Sequence, residues 1–87
     1  MWQEVSFLKK SKSSGAILES LGEPKTPADL RKALDLHLSS VSRTILKLEE
    51  YGLVECLTPD NDKFRLYRIT KKGAKVLRKW RQLENKK

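Results

Sequence analysis

One change of period constrains this chain more than any other feature. Val41, Ile45 and Leu48 fall at i, i+4 and i+7, the inward stripe of an amphipathic helix, and Gly52 stops it. Directly past Gly52 the apolar pattern turns strand-like. Leu53 to Leu57 is one run and Phe64 to Ile69 is another. Between them Thr58-Pro59-Asp60-Asn61-Asp62-Lys63 is turn chemistry, so the runs are expected to pair as a hairpin with a six-residue tip. Thr70 then caps a last helix with Val76, Leu77, Trp80 and Leu83 on its apolar side.

Upstream, Trp2, Val5, Phe7 and Leu8 have a loose spacing that suits a helix or an extended segment. Ala16, Ile17, Leu18 and Leu21 make a helical face closed by Gly22, and Glu23-Pro24-Lys25 reads as a connector. Thr26-Pro27-Ala28-Asp29 is a strong helix start. Thr26 caps the free amides, Pro27 fits the first helical position and Asp29 suits the positive end of the dipole. That short helix carries Leu30, Ala33 and Leu34 and ends near Asp35-Leu36-His37-Leu38. Ser39 or Ser40 is expected to cap the next, the helix at about 40–51. Two short helices joined this tightly, the second bearing Ser42, Arg43, Thr44 and Lys47, make a helix-turn-helix. The hairpin after it is the wing. The expected fold is mostly α with a small β-hairpin: a three-helix core, a wing and a C-terminal helix in one domain over residues 1–87.

Size and composition remove several classes. A chain of 87 residues buries only about 60–65% of its unfolded surface, enough for one core. No apolar run approaches the ~18–20 residues of a membrane span, and Lys9 and Lys10 break what would be a signal-peptide core. Cys56 has no second cysteine to pair with and reads as a small buried apolar group. His37, the one histidine, is a turn residue and cannot supply a zinc site. Asp60-Asn61-Asp62 lacks the glycine and distal glutamate of a calcium loop. No nucleophile-base arrangement, phosphate loop or paired-carboxylate cleft is recognisable, so neither catalysis, a cofactor nor a small-molecule ligand is expected. The expected setting is the cytoplasm, in association with the nucleoid.

Charge is split sharply along the chain. Residues 1–62 hold 8 basic and 10 acidic side chains, whereas residues 63–87 hold 11 basic ones against Glu84 alone. Such a segment is either a solvated basic tail or a surface for a polyanion, and charge alone does not choose.

The motifs do. Val41-Ser42-Arg43-Thr44-Ile45-Leu46-Lys47-Leu48-Glu49-Glu50-Tyr51-Gly52-Leu53-Val54 resembles the recognition helix and Leu-Glu-Glu-x-Gly-Leu-Val turn of winged helix-turn-helix regulators of the MarR/ArsR kind. Tyr67-Arg68-Ile69-Thr70-Lys71-Lys72-Gly73 is similar to their Tyr-x-Leu-Thr-x-x-Gly exit from the wing. The resemblance covers roughly residues 11–77 and is nearest to the compact single-domain archaeal type. It implies a sequence-specific regulator of transcription that binds double-stranded DNA. Ser39, Ser40, Ser42, Arg43, Thr44 and Lys47 would face the major groove, Arg43 as the base reader and Lys47 on phosphate. Lys63, Arg65, Arg68, Lys71 and Lys72 would hold phosphates from the wing and the last helix. One departure stands at the wing tip, where Asp60 and Asp62 replace the usual basic residues. Leu46 is another, since the family usually carries a polar residue there. It is expected to tuck under the helix that starts at Pro27, the alternative being contact with a thymine methyl.

The terminal apolar residues exceed what a minimal winged helix buries. Trp2, Val5, Phe7 and Leu8 with Val76, Leu77, Trp80 and Leu83 either pack together within one chain or form a dimer seam. The resemblance implies a homodimer through terminal segments at about 1–10 and 71–84, with Trp2, Phe7, Val76, Leu77, Trp80 and Leu83 in the seam. Two rival functions remain: a non-specific architectural DNA-binding protein, and a winged helix that binds proteins.

Overall fold

The computed structural model describes residues 2–61 and 64–85. Its elements run α1 (Trp2–Lys10), α2 (Lys12–Ser20), α3 (Pro27–Leu34), α4 (Leu38–Glu50), β1 (Val54–Cys56), β2 (Tyr67–Ile69) and α5 (Lys71–Asn85). The N-terminal stretch is helical, not extended. Val5 and Leu8, one turn apart, are both buried, and α1 lies against α2 and α5. Ser11 breaks α1 from α2 with extended backbone (φ −133°, ψ 109°).

At the start of α3 the Thr26 side chain accepts the Asp29 N–H and the Asp29 carboxylate accepts the Thr26 N–H, both at 3.1 Å. This reciprocal capping box, with Pro27 at the first helical position, fixes where α3 begins. Asp35 ends it in the left-handed conformation (φ 53°), one of the few a short polar residue tolerates. The join to α4 differs from expectation in its cap. His37, extended at ψ 141°, is the N-cap residue, and its carbonyl already accepts the Val41 N–H at 3.0 Å. Ser39 and Ser40 therefore lie inside the first turn instead of capping it. The sharp reversal at Asp35 leaves the chain aligned for helix that early.

Val41, Ile45 and Leu48 are buried as the spacing predicts. α4 ends in a Schellman motif: Leu53 N–H donates to Leu48 O and Gly52 N–H to Glu49 O, each at 2.9 Å, with Gly52 at φ 75°. Leu48 and Leu53 are both fully buried, which supplies the apolar contact that closes such a turn.

The hairpin is antiparallel, with Val54 opposite Ile69, Glu55 opposite Arg68 and Cys56 opposite Tyr67. Its strands are shorter than the apolar runs. Beyond the Leu57 N–H to Leu66 O bond, the Thr58 hydroxyl takes over, accepting the Leu66 N–H and donating to Phe64 O, each at 2.9 Å. The Asn61 side-chain oxygen accepts the Phe64 N–H. Side chains close the tip where ladder bonds would otherwise run. The supposed connector also joins the sheet: Lys25 and Tyr67 exchange backbone hydrogen bonds at 3.0 and 2.9 Å.

One core unites the elements. Leu8, Ile17, Leu18, Leu21, Leu30, Ile45, Leu48 and Val76 are fully buried, each contributing about 1.5–3 kcal/mol of hydrophobic stabilisation. Trp80 seats its indole on Gly15 of α2, where a β-carbon would come within 2.6 Å of Cη2. The result is a helix-turn-helix followed by a wing and a terminal helix, the winged-helix fold expected. No described helix is long and apolar enough to cross a membrane.

Candidate nucleic-acid interface

With Val41, Ile45 and Leu48 turned inward, helical geometry sends Ser39, Arg43, Leu46 and Lys47 outward. These four and Ser40 are exposed, while Ser42 and Thr44 are half-buried on the flanks. The second helix of the helix-turn-helix thus presents hydroxyls, one guanidinium and one ammonium on a rigid cylinder. Such a surface donates hydrogen bonds to base-edge and phosphate acceptors.

The wing arm approaches one flank of this helix. Arg65 and Ser42, with Pro27, line two adjoining clefts of about 450 and 330 Å³. Leu38 and Phe64, both about half exposed, border the larger cleft and give it an apolar wall that the sequence reading missed. The opposite flank has a wider hollow, where Lys47 meets Trp2, Phe7 and Tyr51. Phe7 and Tyr51 meet there as a tilted pair, ring centroids 5.5 Å apart.

Several expected phosphate ligands have intrachain partners. Lys47 lies 3.5 Å from Glu50, and Arg68 lies 3.7 Å from Glu55, its opposite number on the ladder. Both pairs are exposed, and such pairs are worth about 0.2–1 kcal/mol, so a phosphate competes readily. Lys72 differs. Its ammonium sits 2.9 Å from the carboxylate of Glu4, a side chain only 10% exposed. This hydrogen bond, helped by a backbone N–H, holds the Glu4 carboxyl down at about 2 against the opposing effect of burial. Lys72 therefore ties α5 to α1. Its neighbour Lys71 is exposed, and Lys75, Arg78 and Lys79 extend the exposed basic side of α5. Lys75 is expected from the sequence beside Lys71 and Lys72; Arg78 and Lys79 were missed, although their spacing from Lys71 on a helix with an apolar face at Val76, Leu77 and Trp80 would have found them.

Lys63 lies outside the described residues, as does Asp62. Asp60 is exposed at the tip. Leu46 is not covered by α3: it borders the smaller cleft beside Pro27 and Tyr67 and stays 59% exposed, off the inward stripe of α4. Among the terminal apolar residues, Val76 and Leu77 are buried in the chain's own core. Phe7, Trp80 and Leu83 pack against that core while half-buried, and Trp2 stays 68% exposed.

The family model described as the HVO_A0261 N-terminal domain matches residues 2–86. No curated protein matches the chain in sequence. Among solved structures, wild-type MarR from E. coli in its apo form aligns at a TM-score of 0.79 and 29% identity, over 97% of this chain and 64% of that one. The transcriptional regulator BldR from Sulfolobus solfataricus gives 0.78 and 25%, over 98% of this chain and 66% of its own. A mutant MarR from E. coli complexed with operator DNA gives 0.75 and 27%, over 95% and 61%. This chain spans less than two-thirds of the length of these MarR-family winged-helix regulators.

Proposed function

The chain belongs to the HVO_A0261 N-terminal domain family, and we propose that it is a non-enzymatic transcriptional regulator that binds specific double-stranded DNA inside the cell. The outward face of α4 carries this reading: Ser39, Ser40, Arg43 and Lys47 stand exposed on the second helix of a helix-turn-helix. In the major groove, Arg43 grips guanine through its two parallel N–H donors, and the serine hydroxyls reach neighbouring edges. Ser42 and Thr44 flank that contact, and Lys47 meets phosphate. Arg65, Arg68 and Lys71 hold phosphates on the wing side, Lys63 adds a further cation by its charge, and Lys72 joins where a phosphate draws it from Glu4. Support comes from the regulators that share the fold, one of them solved on operator DNA.

The regulator acts as a homodimer reading an inverted repeat, its half-sites about one helical turn apart. Val76 and Leu77 are spent inside the chain, so Trp2 and the outer edges of Phe7, Trp80 and Leu83 form the seam. Sedimentation of the wild type and of Trp2→Ala checks this, with a dimer expected for the first and monomer for the second.

The deciding experiment selects duplexes from a random pool and titrates the preferred and scrambled duplexes in rising salt. A specific regulator prefers its site by about 10³-fold or more, while both affinities fall steeply with salt. Equal affinities at every salt concentration would identify an architectural protein. The exposed basic side of α5 is the feature that favours that second reading.

A further inference from the structure

We propose that Leu46 is a specificity residue that recognises the C5-methyl group of a thymine in the major groove. This deepens the DNA-reading role of α4 and rests on it. Leu46 is the large apolar side chain at the middle of α4 that the fold leaves out, 59% exposed. Ser42, one turn before it, and Ser39, two turns before it, are too short to cover it. The next turn offers Glu50, whose carboxylate is engaged by Lys47. Leu46 borders the smaller cleft with Pro27, Ile45 and Tyr67 and still leaves more than half of its surface in solvent, whereas Leu38 stands at the start of α4 beside Pro27 and Phe64.

The major groove has one apolar group of any size, the thymine methyl; cytosine shows only a C5–H at that place, and the other groups read there are hydrogen-bond donors or acceptors. A leucine pressed onto a G·C pair strips water from polar atoms and returns nothing. Pressed onto thymine, it removes two apolar surfaces from water together. The same side chain therefore favours thymine over the other three bases at that position. Arg43 lies three residues earlier, about 4.5 Å along the axis, on the same outward face. With bases about 3.4 Å apart along a strand, the thymine falls within about two base pairs of the guanine that Arg43 reads.

Deoxyuridine in place of thymidine removes the methyl and leaves every hydrogen-bonding group unchanged. The experiment takes the preferred duplex from the selection and replaces its thymidines one at a time. Wild-type protein is expected to lose about fourfold in affinity at one position, the effect of about one buried methylene-sized group. Leu46→Ala is expected to bind the thymidine duplex about as weakly as wild type binds the deoxyuridine one, and not to distinguish the two. Its melting temperature should fall little, because most of the side chain's surface is exposed. Wild-type protein that binds every deoxyuridine duplex as tightly as the parent overturns the proposal, and so does Leu46→Ala that keeps the discrimination. A wild type that selects no duplex defeats the DNA-reading role itself, a separate and recognisable result.

Discussion

A β-carbon built on Gly73 overlaps the backbone carbonyl of Leu53 and comes within 2.7 Å of Ile69 Cγ1. That carbonyl already accepts the Thr70 N–H at 3.0 Å. The Thr70 hydroxyl completes the junction, donating to Gly52 O at 2.7 Å and accepting the Gly73 N–H at 3.0 Å. The turn that ends α4 is thus clamped directly onto the turn that starts α5. Since the wing leaves one turn and returns to the other, this clamp sets how Arg65 and Arg68 sit relative to Arg43. The Thr-x-x-Gly spacing therefore serves the interface through backbone contact.

Gly73→Ala should be among the most damaging small substitutions in the chain. The carbonyl it meets belongs to backbone held on both sides, so relief requires α5 to shift. A loss of about 3 kcal/mol, the upper end of ordinary overpacking, is expected in urea unfolding. Gly52→Ala, where a positive φ of 75° is the obstacle, should cost about 1–2 kcal/mol.

Thr70→Val keeps the shape and removes the hydroxyl. It abolishes the cap on the Gly73 N–H and the bond to Gly52 O together, and about 1–2 kcal/mol should be lost. Hydrogen exchange at Gly73 should accelerate more than exchange at core amides of α2.

Much of this was legible because it depends on near neighbours in sequence. Thr26, Pro27 and Asp29 announce α3, Gly52 announces the end of α4, and Thr70 with Gly73 announces α5, all through backbone chemistry within a few residues. What escaped depends on distance in sequence. Nothing near Lys25 reveals that it pairs with Tyr67, and nothing near Lys72 reveals Glu4. The cap at His37 was hidden by two serines that are better cap formers by type but lie two and three residues too late. The exposure of Leu46, Leu38 and Phe64 was hidden because an apolar residue is ordinarily read as core. Of the candidate interface, the periodicity located the outward face of α4, while the ion pairs that draw on its cations appear only once the chain is folded.

Glu4 gives the fold an acid-sensitive component. Its carboxyl is held at about 2 by Lys72, against an ordinary 4.5. A lowered folded value means the contribution is fully present above pH ~4.5 and is lost as pH falls toward ~2, where the folded form also takes up a proton. Glu4→Gln should therefore flatten stability against pH across that interval and leave the neutral-to-alkaline side parallel to wild type. Asp29, lowered by its bonds with Thr26, keeps a residual slope in the variant. Unfolding in urea at stepped pH checks this, and a variant with the wild-type slope would mean that the pair does not persist in solution.

Arg43→Ala and Lys71→Ala should fail in different ways. Losing a guanine-reading arginine should cost about 1–3 kcal/mol on the preferred duplex and flatten discrimination between sites. Losing a phosphate-binding lysine should weaken all duplexes alike and reduce the salt slope by about one unit. Anisotropy titrations at several salt concentrations distinguish the two patterns. Arg43→Ala that weakens preferred and scrambled DNA equally would move Arg43 from base reading to phosphate binding.

The acidic wing tip makes the remaining prediction. Asp60 is exposed in the turn that Thr58 and Asn61 close. A carboxylate there is repelled by phosphate whichever sequence is bound. At about 10 Å in water the repulsion is about 0.4 kcal/mol, so Asp60→Asn should tighten binding roughly twofold at low salt. Two placements of the tip then part company. A tip that stays in solvent feels only the long-range field, so preferred and scrambled duplexes tighten equally. A tip that touches the groove, and there rejects wrong sites by repulsion, tightens scrambled DNA more and shrinks the ratio. The narrow minor groove draws cations into it, and with an aspartate at the tip the solvated placement is expected, with the ratio unchanged. The gain should fade as salt shortens the Debye length below its ~8 Å at physiological ionic strength. Weaker binding by Asp60→Asn would instead show the carboxylate accepting a hydrogen bond, with cytosine amino groups as the available donors, and would place the wing tip against the bases.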